Sequence, residues 1–258
     1  MRRALLLLAI AGCGFKHGAL DPMVADDASP PEDAAIDAAA DAMIDARVVV
    51  IVPYCNTQDP NLVACYQFEN NTNDSSGHNL NASMTNVTFS NGKVGMALNS
   101  AANSATDVAD STMWNLNALT IEAWINPSAL PGTGLRMGIV DVEGQYGFFL
   151  HETGRLQCTI INGITMQVDA SVAANTWSHV ACTYDGTTTT IYKDGAVVFT
   201  GTGGGTVATN GVTGMSIGAN NPPGSGSRFI GLIDEVRMMS RARTGPEICA
   251  DAECATTQ

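Results

Sequence analysis

Apolar and polar positions alternate in short runs along most of the chain beyond residue 60. Residues 177–184 show the rule: Val180, Cys182 and Tyr184 fall on one face, Trp177, His179 and Ala181 on the other. Asp185-Gly186 ends that run, and an extended segment reopens through Tyr192. Asp194-Gly195 is then a two-residue hairpin signal, because a type I′ turn needs φ > 0 at both central positions. Ala196 to Thr200 returns as a third strand. The same period predicts strands over 62–69, 119–125, 137–142, 146–150, 155–160, 214–218 and 229–239, with shorter ones between 80 and 99. Turn residues divide them: Asn70 to His78, Asn91-Gly92, Asn126-Pro127 and Pro222-Pro223-Gly224. More than a dozen short strands and no convincing helix predict an all-β sandwich or barrel.

The first fifty residues follow another pattern. Arg2 and Arg3 precede an apolar run from Ala4 to Ile10, closed by Ala11-Gly12-Cys13. That is an export signal, 1–12, far short of the ~20 apolar residues a spanning helix needs. Ile10-Ala11-Gly12-Cys13 resembles a bacterial lipobox, which implies acylation of Cys13. The alternative is an ordinary secretory signal that happens to contain a cysteine. Several acyl chains would anchor stably where one is marginal. Gly14 rather than Asp follows the cysteine, which by the sorting rule for such lipoproteins points to the outer membrane or cell surface. From residue 13 to 54 the composition is Ala, Asp and Pro, expected to be a disordered tether. Eight carboxylates and no base lie between Asp21 and Asp45. The apolar Val48 to Val52 interrupts that composition, and order is expected from Pro53-Tyr54-Cys55 onward into a domain over 55–258.

Charge narrows the partners. The net charge is −13, which excludes nucleic acid, since that needs a clustered basic surface. It equally excludes polybasic attraction to lipid, so any membrane contact runs through the lipid anchor. Of seven cysteines, Cys13 is consumed by acylation; six remain, an even set suited to disulfides in an exported chain.

The ordered stretches resemble a LamG-like jelly-roll domain of the concanavalin A-like lectin/glucanase superfamily. Those that carry the resemblance are Tyr66-Gln67-Phe68-Glu69, Asp74-Ser75-Ser76-Gly77, Gly92 to Leu98, Leu119 to Ile125, Trp177 to Gly195, Phe229 to Arg237, and Ser240-Arg241-Ala242 to Glu247-Ile248. It implies two antiparallel sheets with the first and last strands adjacent. Within that frame Cys158 shares a face with Leu156 and Ile160, and Cys182 with Val180 and Tyr184, so nearby strands could pair Cys158 with Cys182. Cys55, Cys65, Cys249 and Cys254 gather where the termini meet, with three connectivities open. Relatives that bind structural Ca²⁺ use an Asp near the last strand and groups near the first; Asp234 and Asp74 match those places. The alternative is that both carboxylates accept backbone N–H bonds.

The resemblance also raises glycoside hydrolysis, which needs two carboxylates across a sugar ring. The Glu-x-Asp-x-x-Glu pattern of the retaining glucanases with this fold is absent. Asp141 and Glu143 share a face without a third carboxylate, Asp234 and Glu235 should point apart, and Glu122 stands alone. Gly214-Met215-Ser216-Ile217-Gly218 matches a nucleophile-elbow expression but lacks the following helix. His179 reads as a packed residue, and no catalytic residue is expected. For glycan binding, Trp124 and Trp177 fall at family core positions, leaving Trp114 as the candidate platform; the favoured alternative is a loop anchor tucked under the sheet, since one exposed Trp makes a poor glycan site, and loops 201–212 and 219–228 either rim a concave site or are permissive turns. The expected function is a non-catalytic binding or adhesion module for glycan or protein ligands. A structural envelope or assembly protein without a sugar ligand is the alternative, and a hydrolase a weaker third.

Overall fold

The computed structural model describes residues 53–161, 165–209, 214–222 and 227–254. The signal, Cys13, the tether up to residue 52 and the apolar run at 48–52 lie outside the described residues. The strands in chain order are β1 (Leu62–Tyr66), β2 (Ala82–Thr85), β3 (Thr88–Asn91), β4 (Met96–Ser100), β5 (Ala105–Val108), β6 (Leu119–Pro127), β7 (Arg136–Val142) and β8 (Tyr146–His151). They continue with β9 (Arg155–Ile160), β10 (Thr165–Asp169), β11 (Ser178–Tyr184), β12 (Thr188–Lys193), β13 (Ala196–Thr202), β14 (Met215–Ile217) and β15 (Gly231–Met239).

Two antiparallel sheets result. An eight-stranded sheet has the order β13-β12-β11-β6-β15-β4-β3, with β1 also on β15. A seven-stranded sheet has the order β10-β9-β8-β7-β14-β5-β2. The first and last strands pair, Tyr66 opposite Val236. Inward positions of both sheets form one core, with Val180, Cys182 and Tyr184 facing Val142, Phe148 and Leu156. Asp194 (φ +49) and Gly195 (φ +77) make the left-handed pair the hairpin requires.

Three features depart from the sequence reading. First, β15 is not regular. Asp234 opposes Trp124 and Arg237 opposes Glu122, so Glu235 and Val236 together face Ala123. Glu235 has φ +48 at this bulge. Before it, β15 pairs with β4; after it, with β1. The bulge is where the strand changes neighbours, and the expectation that Asp234 and Glu235 point apart as in a regular strand does not apply there. Second, a helix, α1 (Gly245–Asp251), follows β15. Its start is a reciprocal cap: Thr244 N and Oγ1 donate to Glu247 Oε2 at 2.8 and 2.9 Å. Third, Cys158 and Cys182 are bonded, but from β9 and β11, which lie in different sheets. The bridge crosses the core rather than joining strand neighbours. Cys55 pairs with Cys65 and Cys249 with Cys254, which selects one of the three connectivities.

Candidate binding face

The two outer faces differ in what covers them. On the eight-stranded sheet, α1 and the segment entering β1 lie over a buried charged cluster. Arg237 Nε donates to Glu122 Oε1 at 2.6 Å, and Arg237 Nη1 to the carbonyl of Tyr54 at 2.6 Å. Both Arg237 and Arg243 also pair with Asp251 of α1, and Arg243 with Glu122. The Tyr54 ring sits 4.0 Å beneath the Arg237 guanidinium, so Tyr54 belongs to the domain rather than to the tether. His179 is fully buried here, edge-on to Trp124, and burial lowers its pKa. Its ring stands 3.8 Å from Glu122 Oε2. Ser178 precedes His179 on β11 and pairs with Ile125 of β6, so neighbouring side chains of the strand face apart and Ser178 offers His179 no nucleophile. Glu122 is thus committed to two guanidinium groups.

The Asp234 and Asp74 carboxylates are surrounded by donors. Asp234 Oδ2 accepts from the backbone N–H groups of Lys93 (2.9 Å) and Val94 (3.0 Å), and Oδ1 from that of Glu235 (2.9 Å). Burial still pushes Asp234 up to about 6. Asp74 accepts from Cys65 N, Ser76 N, Ser76 Oγ and Leu80 N. Converging N–H groups present positive charge, which suits a carboxylate that binds backbone and not one that binds Ca²⁺. The residues present do not fit that ion.

Trp114 takes the loop-anchor alternative and not the platform. It lies in a short 3-10 turn (Thr112–Trp114), is 0 % exposed, and donates Nε1–H to the Ala109 carbonyl at 3.1 Å. Its own carbonyl accepts from Tyr146 OH. It anchors a loop from below and presents no ring face to a ligand.

The outer face of the seven-stranded sheet is built otherwise. Register places Ser83, Asp107, Ser216, Asp141, Gly147, Thr159 and Thr165 in one continuous cross-strand row. A second row holds Gly138, Phe149, Gln157 and Gln167. Ser216 is spent on a bond from its hydroxyl to Asp107 Oδ1 at 2.6 Å, so the Gly-x-Ser-x-Gly match is an ordinary strand. Between the rows a cavity of about 140 Å³ opens, lined among others by Arg136, Asp141, Glu143, Gly147, Phe149 and Thr159. Gly147 lets the Phe149 ring and the Asp141 carboxylate close in: a Cβ there would lie 2.5 Å from the ring and 2.7 Å from Asp141 Oδ1, so both side chains would have to shift. The Arg136 guanidinium lies 4.0 Å over the Phe149 ring and donates to Asn220 Oδ1 at 2.8 Å. Asp141 accepts from Asn221 N at 2.8 Å. Burial raises its pKa to about 7, with the nearby Glu143 charge adding to the rise. Acceptors, a guanidinium and a hydroxyl thus converge on one recess, the arrangement of a polar small-ligand site.

Sequence reading had Asp141 and Glu143 on one face but missed Arg136 and Phe149 as their companions. Strand alternation could have placed Phe149 outward; nothing local could have placed Asn220 and Asn221 over Asp141.

Comparison with known proteins agrees with this architecture. A family model, Laminin_G_3, described as concanavalin A-like lectin/glucanases superfamily, matches residues 99–249. A search of the curated proteins finds no match. Among solved structures, domain 4 of AbnA, a GH43 extracellular arabinanase from Geobacillus stearothermophilus, in complex with arabinotriose, superposes with a TM-score of 0.63 at 22 % identity. That match covers 74 % of this chain and 98 % of that one. The binding domain of Paraclostridial Mosquitocidal Protein 1 gives 0.59 at 20 % identity, over 74 % of this chain and 52 % of that. A structure of botulinum neurotoxin type C, whose cell entry depends on interaction with two ganglioside molecules, gives 0.57 at 14 % identity, over 75 % and 51 %. The chain spans about half of each toxin chain. By its sheets and its family match, the chain belongs to the Laminin_G_3 family of the concanavalin A-like lectin/glucanase superfamily.

Proposed function

We propose that this protein is an exported, lipid-anchored, non-catalytic module that binds a glycan at the cell surface. The cavity on the outer face of the seven-stranded sheet carries the reading: it gathers Arg136, Asp141, Glu143 and Thr159 in one recess. The arabinotriose complex of AbnA domain 4 and the ganglioside dependence of the type C neurotoxin lend it support from the same fold. Anchoring rests on the lipobox at Cys13, and metabolic labelling with a fatty-acid probe tests it: label should enter the chain and vanish in Cys13→Ser.

Binding is tested by exposing the full chain to an array of neutral and acidic glycans, with Arg136→Ala as comparison. Binding that the variant loses supports the reading. Silence across the array favours an envelope or assembly role through a protein ligand instead. Release of reducing sugar from any polysaccharide would restore the hydrolase, with Asp141 and Glu143 as its carboxylates.

A further inference from the structure

We infer that the outer face of the eight-stranded sheet carries a second contact surface, a strip built on Trp177 that takes an uncharged sugar chain. Part of this face is covered, since α1 and Tyr54 lie over Glu122 and Arg237. The rest is open. Trp177 stands one residue before β11 and keeps the parity of His179 and Ala181, which places it on the outer face beside Asn126 of β6. Asn175 N donates to the Pro127 carbonyl at 2.7 Å, so the two segments still run together there. Register carries the row on from Asn126 to Leu232 of β15, Asn99 of β4 and Thr88 of β3. Trp177, Asn126, Leu232 and Asn99 are half-buried, and Thr88 is exposed. The family resemblance placed Trp124 and Trp177 in the core, yet neither belongs to it. Trp124 lies on the outer face beneath the Lys93 ammonium, 4.3 Å from it, while Trp177 and Leu232 pack against none of the hydrophobic clusters.

The chemistry of the row names its ligand. A half-exposed indole offers an apolar ring face, and two primary amides and a hydroxyl offer donors and acceptors along the same line. Among the described residues neither the Asn126 amide nor the Trp177 indole N–H has a hydrogen-bond partner, whereas Asn99 Nδ2 donates to Ser90 Oγ at 3.3 Å. None of the five side chains is charged, and the charges beside them are already spent. Lys93 Nζ is bonded to Glu253 Oε2 at 2.6 Å, and Asp234 accepts backbone N–H groups. An acidic sugar gains no free cation from these residues, while neutral hydroxyls meet amides. Four strand steps span about 19 Å, so the strip follows several linked rings and not a single one. It is one side chain wide, far below the roughly 800 Å² per partner that a specific protein interface buries. The strip and the cavity lie on opposite sheets, so each can be tested without the other.

Calorimetry on the full chain with neutral arabino-, xylo- and gluco-oligosaccharides of one to six units, beside sialyllactose and oligogalacturonate, tests the strip. At least one neutral series should gain affinity with length. Trp177→Ala should lower that affinity about tenfold or more, and Asn126→Ala should lower it less. Iodide quenching gives a readout without substitution. Trp114 and Trp124 are buried, so the quenchable emission is that of Trp177, and saturating ligand should protect it. Unchanged quenching, with affinities within about twofold of native in both variants, overturns the inference. If Arg136→Ala then abolishes binding, the ligand sits in the cavity and the proposed function stands. Loss in Trp177→Ala beside native binding in Arg136→Ala upholds the strip and moves the glycan reading from the cavity to it. Preference for the acidic ligands overturns the charge class. No binding by any glycan removes the inference and the proposed function together. Should Trp177→Ala not fold, the quenching decides.

Discussion

Glu122 and Arg237, 115 positions apart in the chain, lie opposite each other on β6 and β15 and are bonded at 2.6 Å. Glu122 is fully buried and Arg237 is 6 % exposed. Breaking a pair of that kind strands a charge away from water. Arg237→Ala should therefore cost about 3–5 kcal/mol, and Arg237→Lys less, because the ammonium keeps the charge but loses the fork. Urea denaturation measures both. A loss under about 1 kcal/mol for Arg237→Ala would show that Arg243 alone satisfies Glu122.

Glu235 gives a pH-dependent prediction. Burial, then the neighbouring Asp234 carboxylate, raises its pKa from 4.5 to about 7. Between those values the folded chain holds a proton that the unfolded chain has released. Its contribution is therefore complete below pH 4.5 and is lost as pH rises through about 7. Glu235→Gln should gain on the order of 1–2 kcal/mol over the native chain at pH 8 and nothing at pH 4. Equal effects at both pH values would remove the explanation. The comparison must be with the native chain at each pH, since His179, lowered by burial, acts oppositely and loses stability as pH falls below 6.5.

The Cys158–Cys182 bridge closes a separation of 24 residues and joins the two sheets. Replacing both by alanine should lower stability by about 3 kcal/mol, by the loop-closure argument. Because the cross-link restrains the unfolded chain, the denaturant slope should also increase. An unchanged midpoint would mean that the core holds the sheets in register without it.

EDTA should leave the melting temperature unchanged, because Asp74 and Asp234 already accept backbone N–H bonds. A fall of several degrees that CaCl₂ reverses would show a cation competing successfully with those donors.

What the sequence disclosed depended on how local the cause was. The hairpin at Asp194-Gly195 was legible because both left-handed residues are adjacent and of types that tolerate φ > 0. The facing of Cys158 and Cys182 was legible from alternation, although that they span the core was not, since alternation does not say which sheet a strand joins. The bulge at Glu235 carries no glycine to announce it. Helix α1 was announced by Thr244, Pro246 and Glu247, but its 7 residues are too few for an apolar period to emerge. The cavity depended on Asn220 and Asn221 returning over Asp141, about 80 positions back along the chain. Trp114 stood between platform and anchor because a polar loop sequence does not say which side of the loop an indole takes; it lies beneath.

The Cys55–Cys65 bond has a mechanical consequence. If Cys13 is held in a membrane, tension reaches the domain from the N-terminal side and arrives first at Tyr54 and Cys55. The covalent link passes it directly to Cys65 within β1, so residues 56 to 64 cannot be reeled out ahead of the fold. The strand that receives the pull is bonded to β15, the strand gripped by β6 along its other side. Drag delivered from that side would therefore load the β1–β15 ladder before any other part of the domain.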